Sequence, residues 1–134
     1  MKFENDFAKE EIVDLNIKDR EGFRYKPTNA GEELEWLPEY NYIDKEGNSK
    51  QDFVMLNKCK MQNIISVPYT PDLLKKILTG TKLVEGEDVN IYEWKNLNME
   101  QRWDILKKLK GKTFDLILHA IDNIDNPKSN QKKT

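Results

Sequence analysis

Cysteine and histidine occur once each in the 134 residues, as Cys59 and His119. One cysteine excludes an intramolecular disulfide, and the two together cannot supply a four-ligand zinc site. Six glycines stand singly. They form neither a Gly-x-Gly-x-x-Gly turn nor a phosphate-cradling loop followed by Lys-Ser/Thr. No stretch approaches the 18 or so apolar residues of a membrane-spanning helix, so no membrane partner is expected. The opening Met-Lys-Phe-Glu-Asn-Asp lacks the apolar run of a secretion signal. With a single cysteine, this leads to the expectation of a reduced, cytoplasmic setting. An excess of one charge is missing too. The 22 Lys/Arg and 24 Asp/Glu leave a net charge of -2. Residues 1–67 hold 10 basic and 14 acidic side chains, and residues 68–134 hold 12 and 10. Neither part carries the basic footprint of a nucleic-acid interface, which makes nucleic acid an unfavoured partner. The densest basic run, Lys107, Lys108, Lys110 and Lys112, falls at an expected helix end, where cations suit the macrodipole.

Three Trp, five Tyr and five Phe remain in a chain that is 37% hydrophobic, enough for one small core. The expected class is α+β: a small N-terminal β-hairpin or meander packed on a mainly helical C-terminal part that ends in an αα-hairpin. We expect one domain over 1–126 and a polar, flexible tail over 127–134. Val13, Leu15 and Ile17 alternate with polar residues, as do Phe23, Tyr25 and Pro27. A turn at Asp19, Arg20, Glu21 and Gly22 separates them, which predicts a hairpin over 12–27. Thr28 is placed to cap a short helix with Ala30, Leu34 and Leu37 on its apolar face and Pro38 as its stop. Residues 44–49 are a surface turn. Residues 52–67 fit either alternation or a helical face. Sixteen residues is long for one strand, which favours a helix over 51–62 followed by an extended 64–67.

The C-terminal part has clearer signals. Thr70, Pro71 and Asp72 open a helix over 70–79 with Leu73, Leu74, Ile77 and Leu78 as its stripe and Gly80 as its stop. Asn98 and Gln101 have capping-box spacing and begin a helix over 99–110, with Met99, Trp103, Leu106 and Leu109 inward and Gly111 at its end. Thr113 caps a last helix over 113–124 with Phe114, Ile117, Leu118, Ile121 and Ile124 inward.

Catalytic chemistry is poorly supplied. A Cys59–His119 dyad would need an orienting acid. Lys58 and Lys60 could lower the thiol pKa, but Cys59 lies on the apolar side of either reading and His119 lies off its helix stripe. The acidic clusters Glu32, Glu33, Glu35 and Glu85, Glu87, Asp88 lack the ligand spacing of a calcium loop. No catalytic, cofactor-binding or metal-binding residue is therefore assigned, and an enzyme is not expected. Trp36 and Trp94 sit at element ends, where an aromatic is often half exposed and open to a partner. With Leu97 they are the candidate partner-binding residues.

The stretch 68–125 resembles the tail-assembly chaperones of tailed bacterial and archaeal viruses. The likeness runs in order: a helix around Leu73 to Leu78, a polar gap, Trp94-Lys95-Asn96-Leu97, Glu100-Gln101-Arg102-Trp103 with Leu106 and Leu109, then Phe114 to Ile124. Phe23 to Thr28 followed by Asn29-Ala30-Gly31-Glu32 resembles the hairpin and lead-in of such proteins. The resemblance implies a non-enzymatic chaperone that keeps a long helical tape-measure protein extended while tail-tube subunits polymerise. It places the chain in the host cytoplasm, as a possible homo-oligomer. The competing expectations are a small virion adaptor, such as a head–tail joining component, and a nucleic-acid-binding regulator.

Overall fold

The computed structural model describes residues 3–7 and 11–126. The tail expected over 127–134 lies outside them. The chain is α+β. Strand β1 (Val13–Asp14) pairs antiparallel with β2 (Arg24–Tyr25), Val13 opposite Tyr25. Leu15 N–H continues the ladder to the Phe23 carbonyl at 2.8 Å. Leu15, Ile17, Phe23 and Tyr25 are buried, so the period-two pattern faces the core as expected. Gly22 turns the chain at φ +103°, and a Cβ there would meet Pro68 at 3.1 Å. Both the left-handed backbone and the close approach call for glycine.

Helix α1 (Ala30–Tyr40) differs from expectation in three ways. Asn29, not Thr28, is its cap. Asn29 Oδ1 accepts from Glu32 N–H at 2.9 Å, and Glu32 Oε1 accepts from Asn29 N–H at 3.2 Å. Pro38 lies inside the last turn and does not stop the helix. The carbonyl it leaves without a helical donor belongs to Leu34, on the solvent side, where water can replace the lost bond. Its buried face is Trp36 and Tyr40, four residues apart, while Ala30, Leu34 and Leu37 are exposed. The two aromatics cover more area than the leucines, which decides the face.

The hairpin of β3 (Asn41–Ile43) and β4 (Ser49–Gln51) follows and is largely exposed. Asp44 Oδ1 accepts from Glu46 and Asn48 N–H in the connecting turn, both at 2.9 Å. The ambiguous stretch resolves into helix α2 (Phe53–Met61) and strand β5 (Ile64–Ser66). Strand β5 adds to β2, giving a three-stranded antiparallel sheet in the order β1-β2-β5.

Helix α3 (Pro71–Thr79) has the expected cap, with Thr70 accepting from Leu73 N–H at 3.2 Å, and the expected stop, with Gly80 at φ +78°. Leu74 is fully buried but Leu73 is exposed. Beside Leu74, Lys75 is buried. Its ammonium donates to the Lys82 carbonyl at 2.9 Å and to both Glu87 oxygens at 2.9 and 2.8 Å, and it lies 5.9 Å from the Tyr92 ring centroid. A buried charge is tolerable only when paired and hydrogen-bonded, and this pairing folds residues 82–92 back onto α3.

Helix α4 (Met99–Lys107) begins with the expected capping box, both bonds 2.9 Å. It ends at Lys107, three residues early. Helix α5 (Gly111–Asp125) begins two residues early. Gly111 therefore opens α5 instead of closing α4, and Thr113 is buried inside the helix, not capping it. The stripe Thr113, Ile117, Ile121 explains the shift, because each is four residues from the next and all three are buried. Lys110 and Lys112 thus sit at the positive end of α5, so only Lys107 and Lys108 gain from a helix C-terminus. The two helices fold back as the expected αα-hairpin, Trp103 against Phe114 edge to face at 6.0 Å.

One network closes the structure. The buried Tyr25 hydroxyl donates to Asp125 Oδ2 at 2.8 Å and lies 2.7 Å from Thr28 Oγ1, while Thr28 N–H donates to Asp125 Oδ1 at 3.0 Å. Asp125 stands in the last turn of α5, the negative end of the dipole. Local preference opposes a carboxylate there, and the two bonds from Tyr25 and Thr28 hold it. Burial, then the proximity of Asp125, pushes the Tyr25 pKa far above its ordinary value. Replacing Tyr25 by Phe keeps the ring but strips Asp125 of its hydroxyl donor. We expect a loss of about 1–3 kcal/mol in urea unfolding. Asp125→Asn, which retains an acceptor for Tyr25, should cost less; equal midpoints for Tyr25→Phe and wild type would refute this assignment.

Candidate protein-interaction surface

The three residues put forward for partner contact are buried, at 7% exposure for Trp36, 5% for Trp94 and 4% for Leu97. Their position at element ends does not leave them half open, and the reason is specific to each. Trp94 starts a 3-10 turn (Trp94–Asn96) laid against the outer edge of β5, and its indole N–H donates to the Ile64 carbonyl at 2.9 Å. A buried indole needs an acceptor, and an unpaired sheet edge offers one. The Arg102 guanidinium lies 5.2 Å from the ring centroid, with Nε bonded to the Trp94 carbonyl at 3.1 Å. Leu97 follows into the same core. Trp36 belongs to a second, smaller core with Tyr40 and Cys59, flanked by Met55 and Leu56. Burying an indole removes about 150–250 Å² from water, worth roughly 4–6 kcal/mol by area, so neither tryptophan is available to a partner without unfolding its surroundings.

Cys59 is likewise a core residue. Its Sγ donates to Glu39 Oε2 at 3.2 Å. Burial, then the Glu39 carboxylate, pushes the thiol up to about 12, outweighing the opposing pull of Lys58. The thiolate that nucleophilic chemistry needs is therefore scarce at neutral pH. His119 is exposed on α5, in a groove of about 370 Å³ shared with Asn57, Lys60 and Asp115, whose lining does not include Cys59. Among the described residues no three His, Cys, Asp or Glu side chains gather as a cation site, and no helix is long and apolar enough to cross a membrane.

What the surface does offer is apolar area in one sequence block. Leu34 and Leu37 on α1, Tyr42 and Ile43 on β3, and Phe53 and Val54 opening α2 are all exposed, Leu34, Ile43, Phe53 and Val54 at 67–72%. The Asp52 N–H bonded to the Tyr40 carbonyl at 2.6 Å brings the end of α1 beside the start of α2. Tyr42, Phe53 and Val54 therefore flank one junction. Val54 also borders a groove of about 360 Å³ between α2 and the α4–α5 turn, with Trp103, Leu109 and Phe114 along it. Within this lobe, 30–61, Trp36, Tyr40 and Cys59 pack as a small core of their own, while Met61, which ends α2, is buried in the main core. Besides Met61, two polar ties join the lobe to the body. Glu32 accepts from Lys26 Nζ at 3.1 Å and Asn63 Nδ2 at 2.9 Å, and Lys58 pairs with Glu100 at 2.5 Å. The sequence pattern missed the surface because α1 and β3 offer too few residues to tell an inward apolar position from an outward one.

Burial raises the Glu32 carboxyl, but the hydrogen bonds from Asn63, Lys26 and Asn29 outweigh it and leave the pKa below its ordinary 4.5. Its contribution to stability is therefore whole above that value and is lost as pH falls through the lower folded value. Urea midpoints measured from about pH 5 to about pH 3 should fall less steeply for Glu32→Gln than for wild type; parallel slopes would count against the tie. For Cys59, iodoacetamide at pH 8 should alkylate the folded chain at least about 100-fold more slowly than the urea-unfolded chain. Equal rates would mean an accessible, ionisable thiol.

Compared with known proteins, the chain matches no family model, no curated protein and no solved structure.

Proposed function

We propose that this chain is a non-enzymatic binding protein of the tail-assembly chaperone kind, acting in the host cytoplasm on a long helical protein. The observation that carries the reading is the number of large apolar side chains that residues 34–54 leave in solvent: Leu34, Leu37, Tyr42, Ile43, Phe53 and Val54. A chaperone of a long client needs shallow contacts that bind amphipathic segments repeatedly and release them. Apolar side chains left open on α1, β3 and α2 meet that need better than a rigid, enclosed pocket. The buried, protonated Cys59 and the solvent-facing His119 favour no competing hydrolytic reading. The resemblance over 68–125 supplies the client class, and with Trp36, Trp94 and Leu97 buried the reading takes its contacts from the exposed residues of α1, β3 and α2.

The test is co-expression with a long helical tape-measure protein of a tailed virus. The soluble, full-length fraction of that protein should rise at least about threefold, in a complex dispersed by Ile43→Ser with Val54→Ser, each removing exposed apolar area. Mass spectrometry of purified particles should then find the chain absent. No gain in solubility, or stoichiometric retention in the particle, would overturn the chaperone reading, the latter in favour of a structural adaptor.

A further inference from the structure

We propose that a small pocket between α2 and α4 binds a carboxylate carried on one apolar group. The pocket holds about 170 Å³. Its apolar wall is Met61, Trp103 and Leu106, all buried, with the exposed Met99 beside them. Its polar groups are Lys58, Gln62 and Arg102. Sites for small molecules have this make-up, mostly apolar with a few polar groups that fix orientation. A cavity of about 150 Å³ takes a benzene-sized guest. The apolar part is therefore one ring or one branched chain, and methionine in the wall adapts to either.

Charge selects the rest of the ligand. Both charged side chains in the lining are cations, and no carboxylate lines the pocket. Lys58 is accounted for within the fold. It stands in the last turn of α2, where a cation suits the macrodipole, and pairs with Glu100 in the first turn of α4 at 2.5 Å. The other acid of α4, Asp104, pairs with Lys107 at 3.3 Å, and α2 contains no acid. Lys60, the second cation of α2, lines the groove beside His119 instead. Arg102 is left without a counter-charge. Its Nε donates to the Trp94 carbonyl at 3.1 Å and its Cζ lies 5.2 Å from the Trp94 ring centroid, which holds the guanidinium in place. Nη1 and Nη2 make no hydrogen bond or ion pair among the described residues. Burial lowers the Arg102 pKa with no carboxylate to oppose it, yet an arginine keeps its charge. The Gln62 side-chain amide also has no partner among the described residues and adds a further donor.

A guanidinium with Nε occupied still presents the Nη1/Nη2 fork, whose geometry matches the two oxygens of a carboxylate. One uncompensated cation calls for one negative charge, which favours a carboxylate over a doubly charged phosphate. A neutral guest would fill the apolar wall and leave the fork unused. The same chemistry comes from two sources: a free aryl or branched aliphatic acid, or a polypeptide C-terminus whose last residue is large and apolar. The site does not rest on the chaperone reading, whose contacts are the exposed residues of α1, β3 and the start of α2.

The probes are 3-phenylpropionate, 3-phenylpropanamide, phenyl phosphate, and the tripeptide Gly-Gly-Phe with a free or an amidated C-terminus. Binding to the whole chain is read from the chemical shifts of the Arg102 Nε–H and the Trp103 indole N–H. We expect 3-phenylpropionate to bind in about the millimolar range, at least about tenfold tighter than its amide. Arg102→Gln should remove that preference. Because it also loses the Trp94 contacts, Met99→Glu is the second variant. It sets a carboxylate in the lining, in the first turn of α4 where an acid is favourable, and should remove the preference with circular dichroism unchanged. Lys18→Gln, which removes an exposed cation beside a different groove, should leave it unaltered. Binding of 3-phenylpropionate without the tripeptide upholds the site for a free acid. Tighter binding of the free-carboxylate tripeptide upholds it for a chain terminus. Equal binding of acid and amide, tighter binding of phenyl phosphate, no shift with any acid at about 20 mM, or a preference that survives both variants overturns the proposal.

Discussion

The hydroxyl of Tyr25, buried between Asp125 and Thr28, is the interaction on which the rest of the architecture depends. Strand β2 has only two residues, yet it pairs with β1 on one side and β5 on the other. Through Tyr25 it also holds the end of α5 and, through Thr28, the chain leading into α1. Helix α5 needs that hold. It has no side-chain cap at its start, carries Lys112 where a cation is unfavourable, and places Asp122 and Asp125 at its negative end. Its stability is tertiary: Thr113, Ile117 and Ile121 in the core and Asp125 in the network. None of the described buried side-chain polar atoms lacks a hydrogen-bond partner, as a small, polar-rich core demands.

The same economy of apolar residues divides the molecule. The main core gathers the sheet, α3, α4 and α5, with Trp94 sealing the edge of β5. The lobe of α1, β3, β4 and α2 has Trp36, Tyr40 and Cys59 for a core, and Met61 and a few polar bonds tie it to the body. A lobe with so small a core has little apolar area left inside, and several of its hydrophobic side chains face water. That arrangement costs solubility unless a partner, or surrounding charge, compensates.

Chemistry follows from the same packing. Cys59 is kept protonated by burial and by a neighbouring carboxylate, the opposite of the electropositive, accessible setting that activates a thiol. The buried Lys75 ammonium is saturated by Glu87 and the Lys82 carbonyl, so it fastens a connector and is not free to react. What the molecule exposes is contact area.

Much of the fold was legible in the residues because its signals are local. The alternation at Val13 to Ile17 and Phe23 to Pro27, the Thr70-Pro71 start, the Asn98/Gln101 box and the left-handed Gly80 each act within four or five residues, and each stands where the sequence placed it. The failures share the opposite property. Whether Asn29 or Thr28 caps α1, whether Pro38 ends it, and whether Gly111 closes one helix or opens the next depend on which side chains find a core. The burial of Trp36, Trp94 and Leu97 depends on contacts far apart in sequence, such as Trp36 with Cys59 and the Trp94 indole on the Ile64 carbonyl. By itself the sequence determined the class of elements, most of their starting points and the poverty of catalytic groups. Only tertiary packing decided which aromatics were consumed in the interior and which hydrophobics were left outside, because burial is settled by competition among all faces for a core too small to hold them.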